Sequence, residues 1–316
     1  MGGIHIGICS WTDKTLLKSG FYPASASSPA GRLAYYASRF NVVEIDSTYY
    51  ALADTRSAFR WVGGTPVDFL FGVKSYGIFT FHRVKFGSLP QWLRAELGGG
   101  PADALVKRGD LSHKQRVRLF EEFIQPVKIL HSSGRLAYLL FQFPPNWSYS
   151  AESLSYIRRV REMSGPMPLA LEVRNRSWLD GGNKDRFLNL LSDQNIAYVA
   201  VDEPALSWTV PGDWPDTAEW GTVARFHGRN LAGWQNPKAT VHERFDHEYR
   251  REELAEWTRK IIAKRDKFGD LKKILIMFNN CVSDKAVRGA WLITEMLGLG
   301  TYPGGLQQEL DFSNED

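Results

Sequence analysis

The stretch L-A-L-E-V-R, residues 169–174, decides the fold. Six residues are too few for a helix, and the apolar positions do not alternate with polar ones. Such a run suits a strand buried on both faces, as in a parallel sheet. Seven further runs are of the same kind: I-H-I-G-I-C from Ile4, V-V-E-I-D from Val42, F-L-F-G-V-K from Phe69, L-A-Y-L-L-F-Q-F from Leu136, A-Y-V-A-V-D from Ala197, T-V-A-R-F-H from Thr222 and K-I-L-I-M-F-N-N from Lys273. Amphipathic helix-like segments lie between most of them, for example 117–130 with Leu119, Phe120, Phe123, Val127 and Leu130 at helical spacing. Strand alternating with helix implies right-handed βαβ units, and eight of them imply an α/β (β/α)8 TIM barrel. The wide gaps after the third and seventh strands predict long insertions, over 75–114 and 229–249. An open doubly wound sheet is the rival, but no G-x-G-x-x-G follows the first strand and eight units exceed its usual count. No repeat, linker or low-complexity stretch divides the chain, so one domain is expected over residues 1–316.

The strand ends carry the chemistry. A polar side chain buried without a partner costs about 1–3 kcal/mol, and a charge costs more, so polar residues at the end of an apolar strand need a reason. In a TIM barrel the C-terminal strand ends face the active site. Here they supply Glu44 and Asp46, Lys74, Gln142, Glu172 and Arg174, Asp202 and Glu203, Arg225 and His227, then Asn279 and Asn280. Glu44/Asp46, Glu172/Arg174 and Arg225/His227 are each two apart and share a strand face.

The residue types suggest roles. Lys74, Arg174 and Arg225 are expected to clamp an anion. His227, the one strand-end histidine, is the expected proton-transfer group, with Glu172, Glu44 or Asp202 as acid–base partners. Gln142 and Asn279 would bind substrate from neighbouring strand ends. Among the aromatic residues just beyond strand ends or in loops, Trp11, Tyr49, Tyr50, Trp178, Trp208, Trp214 and Trp234 could stack a sugar or a base or simply pack the loops over the mouth. No H-x-H or H-E-x-x-H spacing occurs, and no redox or pyridoxal signature, so neither metal nor cofactor is expected; the alternative is a Mg²⁺ held with waters by Glu44, Asp46 and Asp202.

Composition narrows the partners. Of 316 residues, 43% are hydrophobic and 23% charged, which excludes a disordered tail, a collagen and a coiled coil. The net charge of +4 is modest, but residues 74–135 hold eleven Lys/Arg against five Asp/Glu. That excess suits an anionic partner, nucleic acid included, or else a solvated helical face. Residues 307–316 are acidic. Two cysteines, Cys9 and Cys281, build no disulfide framework and fit a reducing compartment. No apolar run is long enough to span a membrane and no signal peptide opens the chain, so a cytoplasmic protein is expected, its oligomeric state open.

The sequence also resembles the YecE-like family, domain of unknown function 72. The resemblance rests on I-G-I-C-S-W from Ile6, V-E-I-D-S-T-Y-Y from Val43, F-L-F-G-V-K from Phe69, Q-F-P-P from Gln142, L-E-V-R-N-R-S-W from Leu171, R-F-H-G-R from Arg225 and M-F-N-N from Met277. It implies a TIM barrel and signature positions at Glu44, Lys74, Gln142, Glu172, Arg174, Trp178, Asp202, Arg225, His227 and Asn279, and it brings no particular reaction. Cys9 stands where the family pattern has a small residue, and Asp46 where Asn is common. The expected function is metal-independent acid–base chemistry, hydrolysis or related, on a phosphate- or carboxylate-bearing substrate. The alternatives are a nuclease-like phosphodiester hydrolase and a non-catalytic sensor of an anionic metabolite.

Overall fold

The computed structural model describes residues 2–300; the acidic stretch 307–316 lies outside them. Eight strands form the barrel: β1 (Gly3–Ile8), β2 (Val42–Ile45), β3 (Leu70–Lys74), β4 (Leu136–Gln142), β5 (Leu169–Glu172), β6 (Ile196–Asp202), β7 (Gly221–Phe226) and β8 (Lys273–Phe278). All pairings are parallel, and each strand neighbours the next in sequence, with β1 beside β8. This is the (β/α)8 barrel that the short apolar runs imply.

The β1–β2 seam closes by other means than a full ladder. The Ser10 amide donates to Glu44 O at 2.9 Å, and Cys9 and Glu44 form an isolated bridge. Below them the Tyr36 hydroxyl accepts from the Ile8 amide and donates to the Val42 carbonyl, each at 2.9 Å. One phenol thus satisfies two backbone groups that would otherwise be buried and unpaired. Gly7 stands at the same seam, where a Cβ would lie 2.0 Å from the Val42 oxygen.

Outer helices follow seven strands: Pro29–Ala37, Thr55–Gly63, His113–Ser132, Ala151–Ser164, Gly182–Asp193, Arg251–Phe268 and Lys285–Met296. Several start at side-chain caps, such as Ser28, Asp54, Ser150 and the Ser112/Gln115 capping box. The sixth strand has no helix after it; residues 203–220 run as loop. Pro204, Pro211, Gly212 and Pro215 in that stretch each oppose helix. Trp214 fills part of the gap by packing on Trp257, with ring centroids 5.7 Å apart.

Both expected insertions are present. The first, after β3, holds a two-stranded ribbon of Val84–Lys85 with Leu105–Val106 and a short helix Gln91–Glu96. The second, after β7, holds the short helices Leu231–Gln235 and Val241–Phe245. Both rise from C-terminal strand ends, so both stand around the barrel mouth. Among the described residues no helix is long and apolar enough to cross a membrane.

Candidate active site

Strand register brings the charges together. Cys9 bridges Glu44, Gln142 pairs with Glu172, and Val201 and Met277 flank Arg225. Alternation then turns Glu44, Gln142, Glu172 and Arg225 towards the lumen at one height. Arg225 is the hub. Its Nη1 donates to Glu172 Oε2 at 2.6 Å and to Gln142 Oε1 at 3.1 Å. Its Nη2 donates to Glu44 Oε1 at 2.5 Å and reaches Cys9 Sγ at 3.6 Å. Arg225, Glu44, Glu172 and His227 are fully buried. Despite burial, Glu44 and Glu172 hold the guanidinium charged, its pKa raised well above the usual arginine value.

Glu172 is shared further. Its Oε1 accepts from Arg174 Nη1 at 2.8 Å and lies 3.0 Å from His227 Nε2. Asn279 Nδ2 donates to His227 Nδ1 at 2.9 Å, which leaves Nε2 as the nitrogen that donates to Glu172. Burial, reinforced by Arg174, pushes the His227 pKa down to about 3, so the ring is neutral. Burial acts to raise the Glu172 pKa, but Arg225, His227 and Arg174 hold it well below the carboxylate range.

Glu44 behaves differently. Its Oε2 accepts from the Tyr138 hydroxyl at 2.7 Å, and a carboxyl oxygen of Glu44 lies within 4.8 Å of one of Asp46. Burial pushes Glu44 up to about 7 against the pull of Arg225. Burial also acts to raise Asp46, but Lys74 and Arg225 hold it below its usual value. Two such carboxyls side by side titrate as a pair, with Glu44 held above its ordinary value and Asp46 below it. Asp46 is 19% exposed and sits 3.6 Å from Lys74 Nζ, itself 12% exposed. The pair therefore links a sealed acid to the rim of the mouth.

Two further residues complete that rim: Glu203, one of the polar strand ends but given no role from the sequence, and His82, which the sequence did not single out. Glu203 Oε2 lies 2.9 Å from Arg174 Nη2, and burial raises its pKa to about 7. His82, on the first insertion, is held by Thr80 Oγ1 at 2.9 Å. Its pKa falls to about 4, first through burial, then through Lys74 and Arg174. Glu203 was legible from spacing, being two residues beyond Val201, which pairs with the lumen-facing Arg225. His82 carried no such signal, because it lies inside an insertion.

Four expectations need correction. Arg225 is no open anion clamp, since its terminal nitrogens are taken by Glu44, Glu172 and Gln142. His227 is no proton carrier near neutral pH, and Phe245 of the second insertion stacks over it at 5.7 Å. Asp202 pairs in register with Phe226, so it faces outward. There it accepts from Arg229 Nε at 2.9 Å, the Tyr249 hydroxyl at 2.6 Å and Trp257 Nε1 at 2.7 Å, beside an outer cavity of about 600 Å³. Trp178 is fully buried, donates to the Trp147 carbonyl at 2.9 Å and stacks on that ring at 4.6 Å. Lys74, Arg174, Gln142, Glu44, Glu172 and Asn279 do meet at the lumen.

Cys9, Glu44 and Asp46 present ligand atoms within 4.8 Å of one another. The donor set suits a cation, but Arg225 already supplies one to the same Sγ and carboxylate. Cys281 donates from Sγ to the Cys9 carbonyl at 2.9 Å, and both cysteines are free thiols. Burial first, then neighbouring carboxylates, raises both thiol pKa values well above normal, which keeps them protonated and unreactive.

Comparison with known proteins agrees with this architecture. A family model described as "Protein of unknown function DUF72" matches residues 5–309. The UPF0759 protein YunF of Bacillus subtilis (strain 168) is 29% identical over 313 residues, covering 98% of this chain and 99% of its own. A DUF72 family crystal structure from Thermotoga maritima MSB8 is 27% identical, with TM-score 0.71 over 93% of this chain and 99% of that one. Another from Enterococcus faecalis V583 is 23% identical, with TM-score 0.75 over 94% and 96%.

Proposed function

The chain belongs to the DUF72 family, and we propose that it is an enzyme performing metal-independent acid–base chemistry, hydrolysis or a related reaction, on a substrate bearing phosphate or carboxylate. The observation that carries this reading is the Glu44–Asp46 carboxyl pair, sealed at one end and open beside Lys74 at the other. In this reading Lys74 and Arg174 bind the anion, with His82 beside them. Asp46 meets the substrate, and Glu44 holds the proton that moves. Arg225, Glu172, His227 and Asn279 fix the geometry of the pair from beneath. A proton held near neutrality is what general acid–base catalysis needs. A sensor held shut by ion pairs needs none, so the Glu44–Asp46 pair favours a catalyst over the binding-module alternative. Two unpaired thiols suit cytoplasmic residence.

Calorimetric titration with inorganic phosphate tests the anion site. Lys74→Met should weaken binding about tenfold or more, the scale of one lost charge-assisted contact. Unchanged affinity would refute it. The nuclease reading has one observation in its favour. Arg108 lies over the Phe81 and Tyr156 rings at 5.5 and 4.9 Å, with Arg116 and Arg159 as near neighbours. A cationic, ring-lined edge of this kind suits a polyanion. It predicts a retarded nucleic-acid band at low salt that vanishes as salt rises; no retardation at low salt would exclude it.

A further inference from the structure

We infer that Trp208 and Trp234 form a ring-stacking subsite beside the anion-binding rim, so that the substrate is an anion carried on a ring, a nucleotide or a sugar phosphate. The inference rests on the anion-site reading above and specifies what the anion is attached to.

The two indoles form a graded path into the mouth. Trp208, on the loop after β6, is 41% exposed. Its ring stacks on Trp234 with centroids 5.9 Å apart and planes 27° from parallel. Trp234, on the insertion after β7, is 8% exposed, and its ring lies 5.0 Å from the Arg174 guanidinium carbon. Arg174 is itself buried and spends Nη1 on Glu172 and Nη2 on Glu203, while its Nε meets no acceptor among the described residues. An open aromatic face therefore leads through a buried one to a buried cation with a donor left over.

Trp208 is open without being loose. Its carbonyl accepts from the Arg176 amide at 3.3 Å, which ties it to the end of the β5 loop. The adjacent Thr209 hydroxyl accepts from the Leu206 amide and donates to the Pro204 carbonyl, both at 2.9 Å. A ring presented on a pinned backbone loses little entropy when a ligand covers it. The Trp147/Trp178 stack makes the contrast. There Trp178 is fully buried and its indole N–H is satisfied within the protein, as packing requires.

Stacking on one aromatic ring contributes about 1–3 kcal/mol, roughly a five- to hundredfold change in affinity. The test is calorimetric titration of wild type, Trp208→Ala and Trp208→Phe with inorganic phosphate, glucose 6-phosphate and adenosine monophosphate. Circular dichroism checks that each variant is folded. The expected result is tighter binding of at least one ring-bearing ligand than of phosphate, a loss of about tenfold or more for that ligand alone in Trp208→Ala, and recovery in Trp208→Phe. The favoured ligand tells a planar base from a sugar ring. Equal affinity for all three ligands, or a Trp208→Ala variant that binds them as wild type does, overturns the subsite and leaves the anion site standing. Wild type that binds none of the three overturns both.

Discussion

Arg225 and Lys74 are both cations at strand ends, yet their surroundings give them opposite work. Arg225 is fully buried between two carboxylates and acts on Glu44 and Glu172. Removing its charge strands both, so Arg225→Met should cost about 3–5 kcal/mol in urea unfolding, the scale for breaking a buried pair. A loss below about 1 kcal/mol would mean that the carboxylates find other partners. His227 makes a prediction about pH. Its folded value is about 3, against 6.5 in the unfolded chain. Between those values the unfolded state binds more protons, so stability falls as pH drops, by up to about 1.4 kcal/mol per pH unit. Glu172, held low, adds in the same direction below its ordinary value. His227→Gln should flatten the slope measured by urea unfolding between about pH 4 and 6.5, and an unchanged slope would place the imidazole proton elsewhere. Residue types at strand ends were legible in the sequence; their facing was legible only where parity was followed through. Asp202 and Glu203 are adjacent acids, and one step of the pleat sends the first out to Trp257 and the second in to Arg174.

At the scale of elements, the eight strands could be read because both faces of each are buried, which leaves unbroken apolar runs. Helix Thr55–Gly63 was harder, since only Ala58 on it is buried and its Phe59 stands exposed. The missing sixth helix was signalled by its prolines. What no pattern in the sequence carried is how the second insertion folds back, with Phe245 on His227 and Trp234 on Arg174, because those contacts join residues far apart in the chain. The β1–β2 seam gives a prediction at this scale. Tyr36→Phe removes the hydroxyl that serves both Ile8 and Val42, so it should cost about 1–3 kcal/mol by denaturant unfolding. A neutral effect would mean that water or the strands themselves fill the gap. Gly7→Ala should be worse, since the Val42 carbonyl occupies the space its methyl needs.

Across the whole molecule, the barrel brings polar side chains from seven strand ends to one mouth and then sorts them by depth. Arg225, Glu44, Glu172 and His227 are sealed, while Lys74, Asp46 and Gln142 stay partly open. That ring of polar strand ends was visible in the sequence. The sealing was not, because depth depends on which loops cover the mouth. The proposed chemistry needs the proton held by Glu44 beside Asp46 to be available near neutral pH and to sense an anion at Lys74. Carbon-13 NMR of labelled carboxyls, titrated in wild type, Glu44→Gln and Asp46→Asn with and without phosphate, measures this directly. The account predicts two carboxyl signals titrating near 7 in wild type, from Glu44 and Glu203, of which one is absent in Glu44→Gln and shifted by phosphate. Carboxyls that all titrate in the ordinary range near 4, indifferent to phosphate, would contradict it.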